Sequence, residues 1–143
     1  MVETLALIVA SLFLFLALFQ AALAFGAPWG AHAYGGQAVQ DDGALPGKWR
    51  AASAGASVVL VAFAWVMLAR SGVCCASLDD RLVTVLSWMV VAYMAVNAAM
   101  NFASKDPVER WLFGSVSALL VVLCAVIAAS GPAGPTPVAA GVL

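Results

Sequence analysis

Three polar side chains in one apolar segment form the clearest set that could bind a ligand. Tyr93, Asn97 and Asn101 follow one another at intervals of four residues, which places them on one face of a helix. A phenol and two amides on one face could line a polar pocket or a pore. Amides also hydrogen-bond across a helix bundle, where each contributes about 0.6 kcal/mol. We interpret this face as a helix–helix contact and keep the polar pocket as the alternative.

A second set of candidates lies in a glycine-rich stretch near residue 30. Pro28, Trp29, His32 and Tyr34 could contact a partner or line a ligand site. Tryptophan and tyrosine also anchor at membrane interfaces, and glycine and proline form turns. We interpret the stretch as an interfacial loop, with partner binding as the alternative. The single histidine has no Cys or acid pair nearby in the sequence, so we predict no metal site there.

The adjacent Cys74 and Cys75 could serve redox or soft-metal chemistry. The third cysteine, Cys124, lies in a distant apolar segment, and the chain has no Cys-x-x-Cys. The metal ligand set is therefore incomplete, and a thiol oxidoreductase would need a second exposed pair. We predict no metal and no cofactor, keep Cys74 and Cys75 as weak candidates, and expect Cys124 to pack as a small apolar residue.

The chain that positions these residues has an unusually apolar composition. Of the 143 residues, 65% are hydrophobic and 9% are charged, against about 45–50% and about 25% in ordinary globular proteins. A soluble chain of this size cannot bury so much apolar surface, so the surplus must face lipid or a partner. The composition excludes a disordered chain, a nucleic-acid-binding protein and a secreted disulfide scaffold as primary interpretations.

The charged residues divide the chain into four apolar segments. None occurs between Glu3 and Asp41, Arg50 and Arg70, Arg81 and Lys105, or after Arg110. About 20 apolar residues cross a ~30 Å hydrocarbon core as a helix, which satisfies its own backbone polar groups. We predict an all-α integral membrane protein: a four-helix transmembrane bundle in one domain over residues 1–130, with spans at about 5–25, 51–69, 82–102 and 111–129. A Gly/Pro-rich first loop and a flexible tail over residues 131–143 complete the prediction.

Residues at the segment ends agree with this division. Asp79 and Asp80 precede the third segment, and Pro107 with Glu109 precedes the fourth, as helix N-termini favour. Small residues at four-residue spacing, such as Gly114 and Ala118, let helices approach closely. The first segment could also be a cleaved signal peptide. Because no basic residue precedes it and its apolar run exceeds the usual ~7–15 residues, we predict a span.

The basic residues predict the orientation. With four spans, the first and third loops share one side, and they hold four of the six basic residues: Lys48, Arg50, Lys105 and Arg110. Arg70 and Arg81 fall on the other side. Because cytoplasmic loops carry the Lys/Arg excess, we predict that these two loops face the cytoplasm and that both termini lie outside.

The predicted spans contain no Asp, Glu, Lys, Arg or His. Proton- and ion-coupled transporters usually place an ionisable group in the membrane, because a site is needed to hold the charge. The strongest polar groups in the spans are Gln20, Asn97 and Asn101. The composition of the spans therefore argues against ion-coupled transport.

Several motifs resemble a group of small bacterial membrane proteins. They are GAPWGAHAYGGQ after the first span, LPGKWR before the second, and VNAAMNFASKDPVERWLF across the third loop. The resemblance covers about residues 5–129, and the matching positions are Gly26, Ala27, Pro28, Trp29, Gly30, Gly35, Gly36, Leu45, Pro46, Asn101, Ser104, Glu109 and Arg110. It implies a four-helix protein of the bacterial inner membrane and implies no reaction.

Three functions remain open. The sequence holds no recognisable nucleophile–base pair, metal set or phosphate loop, so we expect a non-enzymatic structural or accessory subunit of the membrane. The first alternative is a transporter or channel built by homo-oligomers, with Tyr93, Asn97 and Asn101 facing a pore. The second is a redox or metal-handling protein that uses Cys74 and Cys75. The expected partners are the lipid bilayer and a second copy or another membrane protein, and not nucleic acid.

Overall fold

A computed structural model describes residues 1–36, 39–75 and 78–130 of the chain. Four long helices run through these residues: α1 (Val2–Ala24), α2 (Gly47–Arg70), α3 (Asp80–Ala103) and α4 (Gly114–Ser130). A π-helical segment, Val108–Phe113, leads directly into α4, so the fourth apolar stretch is helical over Val108–Ser130. All four stretches are long and apolar enough to cross a membrane. The prediction of an all-helical chain with four such helices is confirmed, while the predicted tail at 131–143 lies outside the described residues.

The first two helices end at glycines in the left-handed region. Gly26 has φ 95° and Gly72 has φ 81°. In each turn the glycine N–H donates to the carbonyl three residues earlier, and the next N–H donates to the carbonyl five residues before it, at 2.9 to 3.1 Å. This pair of bonds satisfies carbonyls that have no partner within the helix. These glycines end the helices within one or two residues of the predicted span ends.

Aspartate side chains cap the start of α3 and the start of the π-helical segment that leads into α4. The Asp79 carboxylate accepts the N–H of Leu82 at 2.8 Å, which confirms its predicted place at the start of α3. The Asp106 carboxylate accepts the N–H of Glu109 at 2.8 Å. Both contacts supply an acceptor to an N–H group that has no partner in the first helical turn.

The helices pack as two hairpins. α1 lies against α2 and α3 against α4 along much of their length, and contacts of α2 with α3 and of α1 with α4 bring the hairpins together. Gly114 allows α4 to approach α3 closely, because a Cβ at this position would lie 2.9 Å from the Phe102 ring. The largest fully buried core side chains include Phe13, Met67, Met94, Leu120 and Ile127.

The outer surface of the bundle is apolar. Only 28% to 39% of the most apolar window of each stretch is buried inside the structure. Leu18, Val58 and Val96 are examples of large side chains that lie mostly exposed on the helices. A single copy of the chain therefore leaves most of its apolar helix surface to lipid or to another protein.

Candidate functional site

A cavity of about 660 Å³ lies between the two hairpins at the end of the bundle that carries the first loop (residues 25–46) and the third loop (residues 104–107). Its wall combines the last turns of α1 and α3, the first turn of α2, part of the first loop, the third loop and the start of the fourth helical stretch. Along α3 it extends from Tyr93 to Ala103, about 15 Å at the 1.5 Å rise of a helix. The cavity therefore reaches well into the apolar part of the bundle.

Tyr93, Asn97 and Asn101 all line this cavity, as the polar-pocket alternative requires. The two amides also make the helix–helix contact that we preferred. Asn101 Nδ2 donates to Asn97 Oδ1 at 3.1 Å and to Ser117 Oγ at 3.3 Å, and the Ser117 hydroxyl donates to Asn97 Oδ1 at 2.9 Å. One network thus joins α3 to α4 and forms the polar part of the cavity wall.

The first loop folds over the cavity through a strained turn. Tyr34, Gly35 and Gly36 are consecutive residues with φ of 53°, 74° and 68°. A Cβ on Gly36 would lie 2.9 Å from the Ala31 carbonyl oxygen, so this position admits only glycine without strain. The turn directs the Gly35 N–H at the Glu109 carboxylate, with distances of 2.9 and 3.2 Å to its two oxygens.

Glu109 is the buried centre of the contact between the two loops. Its side chain is only 8% exposed, and the Ser104 hydroxyl donates to Oε2 in addition to the Gly35 N–H. Next to it, the His32 Nδ1 group lies 3.2 Å from both oxygens of Asp106. These contacts join residues 74 positions apart in the chain and connect the first hairpin to the second.

Aromatic rings and an unpaired amide complete the wall. Tyr34 donates to or accepts from the Ser53 hydroxyl at 3.0 Å, and its ring lies 4.7 Å from that of Trp49. Across the cavity, Gln20 Oε1 is buried and has no hydrogen-bond partner among the described residues. Unsatisfied buried acceptors are rare in proteins and call for a partner such as water or a ligand.

Pro28 and Trp29 do not line the cavity. Trp29 is about half exposed, and its ring stacks on Phe19 with 6.2 Å between centroids. Pro28 packs against Gly43, whose Cβ position lies 3.2 Å from the proline ring. Of the four first-loop candidates, the structure therefore brings only His32 and Tyr34 to the cavity, and it leaves Trp29 at the surface.

The cysteines lie away from this site. Cys74 and Cys75 follow the far end of α2, and Cys124 is fully buried in α4, as expected for a small apolar residue. Burial raises the pKa of the Cys74 thiol above its usual value, and a hydrogen bond with Cys75 raises it further. Within residues 1–36, 39–75 and 78–130, no three His, Cys, Asp or Glu side chains are grouped to hold a metal ion.

Glu109 is the main residue of the site that the sequence did not single out as a ligand. The predicted fourth span begins at residue 111, whereas the helical stretch begins at Val108 and includes Glu109. The π-helical segment extends the helix to the N-terminal side of the apolar run and includes Glu109, which is buried. The sequence does contain a pattern that indicates an earlier helix start. Asp106-Pro107-Val108-Glu109 combines a capping residue, a first-turn proline and an acid three residues after the cap.

Comparison of the chain with family models, curated proteins and solved structures finds no match. The resemblance of the first-loop and third-loop motifs to small bacterial membrane proteins therefore stays a prediction.

Proposed function

We propose that the protein is a non-enzymatic, multi-pass protein of the bacterial inner membrane that binds a small molecule in the cavity beneath its first and third loops. The cavity carries this proposal, since its volume of about 660 Å³ falls within the ~300–1,000 Å³ typical of ligand sites. A purely structural subunit does not require such a space. Among the functions that the sequence leaves open, a solute-binding one of the transporter or channel kind is favoured.

The arrangement of the cavity side chains supports a binding role over an enzymatic one. A catalytic serine needs a base within hydrogen-bond reach, in the manner of a Ser-His-Asp triad. Here the Ser104 hydroxyl donates to Glu109, while His32 contacts Asp106. The serine and the histidine are therefore engaged by different carboxylates. The network is suited to holding the wall of the cavity in place.

The proposed orientation puts the cavity on the cytoplasmic side, because the first and third loops hold most of the basic residues. Cys75 is exposed at the opposite end of the bundle. We expect a membrane-impermeant thiol reagent to label Cys75 in intact spheroplasts. If labelling requires lysis, and a reporter fused after Leu143 is active only in the cytoplasm, the proposed orientation is inverted.

Access of water to the cavity is the property that tests the proposal most directly. In a background without the native cysteines, single cysteines would replace Asn97 and Gln20, which approach the cavity from different hairpins. Val96→Cys is the matched control on the outer surface of the same helix, where Val96 is 62% exposed. Met94→Cys, at a position that is 1% exposed, is the control for the closed core. The reactant is a small, charged methanethiosulfonate reagent.

We expect the cysteines at positions 97 and 20 to react at least about tenfold faster than both controls, because only a hydrated thiolate is a good nucleophile. Two positions are used since Asn97→Cys also removes hydrogen bonds to Asn101 and Ser117. Rates at both cavity positions as slow as that of Met94→Cys would show a closed bundle and refute the binding proposal.

A further inference from the structure

We propose that the cavity is a site for an organic cation, a protonated amine carried on an aromatic or similarly compact apolar group, with Glu109 as its counter-charge. This inference rests on the proposed function and specifies its substrate class. Three features of the site support it: the burial and neutral hydrogen-bond donors of the Glu109 carboxylate, the composition of the cavity wall and the positions of the surrounding cations.

The Glu109 carboxylate is buried without a cationic partner. It is 8% exposed, and its donors are a backbone N–H and a hydroxyl, which are both neutral. Among the described residues the salt bridges pair His32 with Asp106 and Arg70 with Asp80, and neither includes Glu109. A carboxylate can accept about four hydrogen bonds, so Glu109 retains capacity to accept more. A buried charge of this kind is strongly stabilised by an added cation.

The rest of the wall suits the same ligand. Gln20 Oε1 offers a buried acceptor with no partner in the described chain. Five aromatic rings contribute to the wall, and their faces attract cations within about 6 Å of the ring centre: Phe19, Tyr34, Trp49, Tyr93 and Phe113. Acceptor oxygens together with aromatic faces match an ammonium group that donates hydrogen bonds and an apolar body that packs on rings.

The positive charges near the cavity are otherwise engaged or lie toward solvent. His32 contacts Asp106, and Arg110, next to Glu109 in the chain, donates to the Phe102 carbonyl at 3.0 Å. Lys105 lines the loop end of the cavity and is exposed. The exposed Lys48 places its Nζ 5.6 Å from the centre of the Trp49 ring. Because Lys105 is a positively charged side chain on the cavity wall, it would repel a bound cation, and we expect its removal to strengthen cation binding and to weaken anion binding.

Three probes of nearly equal size and different charge distinguish the ligand classes: benzylammonium, benzyl alcohol and benzoate. Each would be titrated against the purified full-length protein in detergent, with binding followed by calorimetry and by Trp fluorescence. We expect benzylammonium to bind more tightly than the other two. Equal binding of all three, tighter binding of benzoate, or no binding of benzylammonium would overturn the inference.

Substitutions of charged residues test whether Glu109 is the counter-charge of the bound cation. Glu109→Gln is expected to weaken benzylammonium binding by about tenfold or more, the range of one charge-assisted hydrogen bond. Lys105→Gln is expected to tighten it, and Glu3→Gln, which removes a carboxylate at the opposite end of α1, to leave it unchanged. Weaker cation binding in Lys105→Gln, or unchanged binding in Glu109→Gln, would contradict the assignment. The wild-type probe series decides the charge preference even if Glu109→Gln does not fold.

The cysteine at position 97 separates the two proposals. If it reacts with the thiol reagent and benzylammonium slows the reaction, both the cavity and its cation preference are supported. If it reacts and only benzoate or benzyl alcohol slows it, the cavity stands and the cation inference fails. If neither position 97 nor position 20 reacts, the proposed function itself fails.

Discussion

Arg70 gives the most direct test of how the far end of the bundle is held together. It is the last residue of α2, and its side chain is 7% exposed. Nε and Nη2 donate to the Ala128 carbonyl of α4 at 3.3 and 3.0 Å, and Nη1 donates to Asp80 at 2.8 Å. The usual helical partner of that carbonyl would be the N–H four residues later. Residue 132 is a proline and has no N–H to donate, whereas Arg70 donates two N–H groups to this carbonyl.

The two contacts of Arg70 differ in expected strength. A hydrogen bond from a charged donor to a buried group contributes about 1.5–3 kcal/mol. An ion pair with an exposed partner contributes about 0.2–1 kcal/mol, and the Asp80 side chain is 67% exposed. We therefore expect Arg70→Met to lower the free energy of unfolding by about 2–3 kcal/mol and Asp80→Asn to lower it by less than about 1 kcal/mol.

The free energies would be measured by reversible unfolding of the full-length protein in mixed detergent–SDS micelles, followed by Trp fluorescence. Arg81→Met is the matched control, since Arg81 is exposed and in the first turn of α3. If Asp80→Asn costs as much as Arg70→Met, the ion pair and not the carbonyl contact stabilises this end. If Arg70→Met costs no more than Arg81→Met, the argument from the unpaired carbonyl is wrong.

Three further predictions concern the loops. Gly36→Ala is expected to destabilise the protein by about 1–3 kcal/mol, because this glycine has a positive φ and no room for a Cβ. Gly55→Ala is the control, since this helical glycine has open space around it, and it is expected to stabilise the protein by up to ~1 kcal/mol. The same micelle titration measures both free energies of unfolding, and an equal effect of the two substitutions would contradict the reasoning. In a Cys75→Ala variant, we expect maleimide to alkylate Cys74 at pH 7 more slowly than it alkylates a free thiol, because burial, the largest cause of its raised pKa, remains. Alkylation as fast as that of a free thiol would refute this. Trp29→Ala is expected to lower membrane abundance, with cellular activity falling only in proportion, because we predict that this ring, which stacks on Phe19, anchors at the membrane interface. Loss of activity at normal abundance would instead indicate partner binding through the first loop.

The helices and their ends could be predicted from the sequence because both depend on local chemistry. A run of apolar residues between charges must form a helix if it is to satisfy its backbone away from water. The glycine at position 26 and the aspartate at position 79 act on groups only a few residues away. For the same reason the four-residue spacing of Asn97 and Asn101 correctly predicted that they share a face, and they hydrogen-bond to each other.

The cavity could not be predicted from the sequence because its wall joins segments far apart in the chain. The sequence favoured a helix contact for Asn97 and Asn101 over a pocket, and packing of the hairpins makes them part of both. The Glu109 carboxylate is held by a backbone N–H, a group that every residue but proline carries and that no sequence pattern marks. The sequence by itself determined four apolar helices and the residues near which they end, whereas each helix begins before its predicted span. Only the tertiary structure decided that an acid outside the predicted spans is buried beneath the first loop, since burial depends on how one hairpin covers the other.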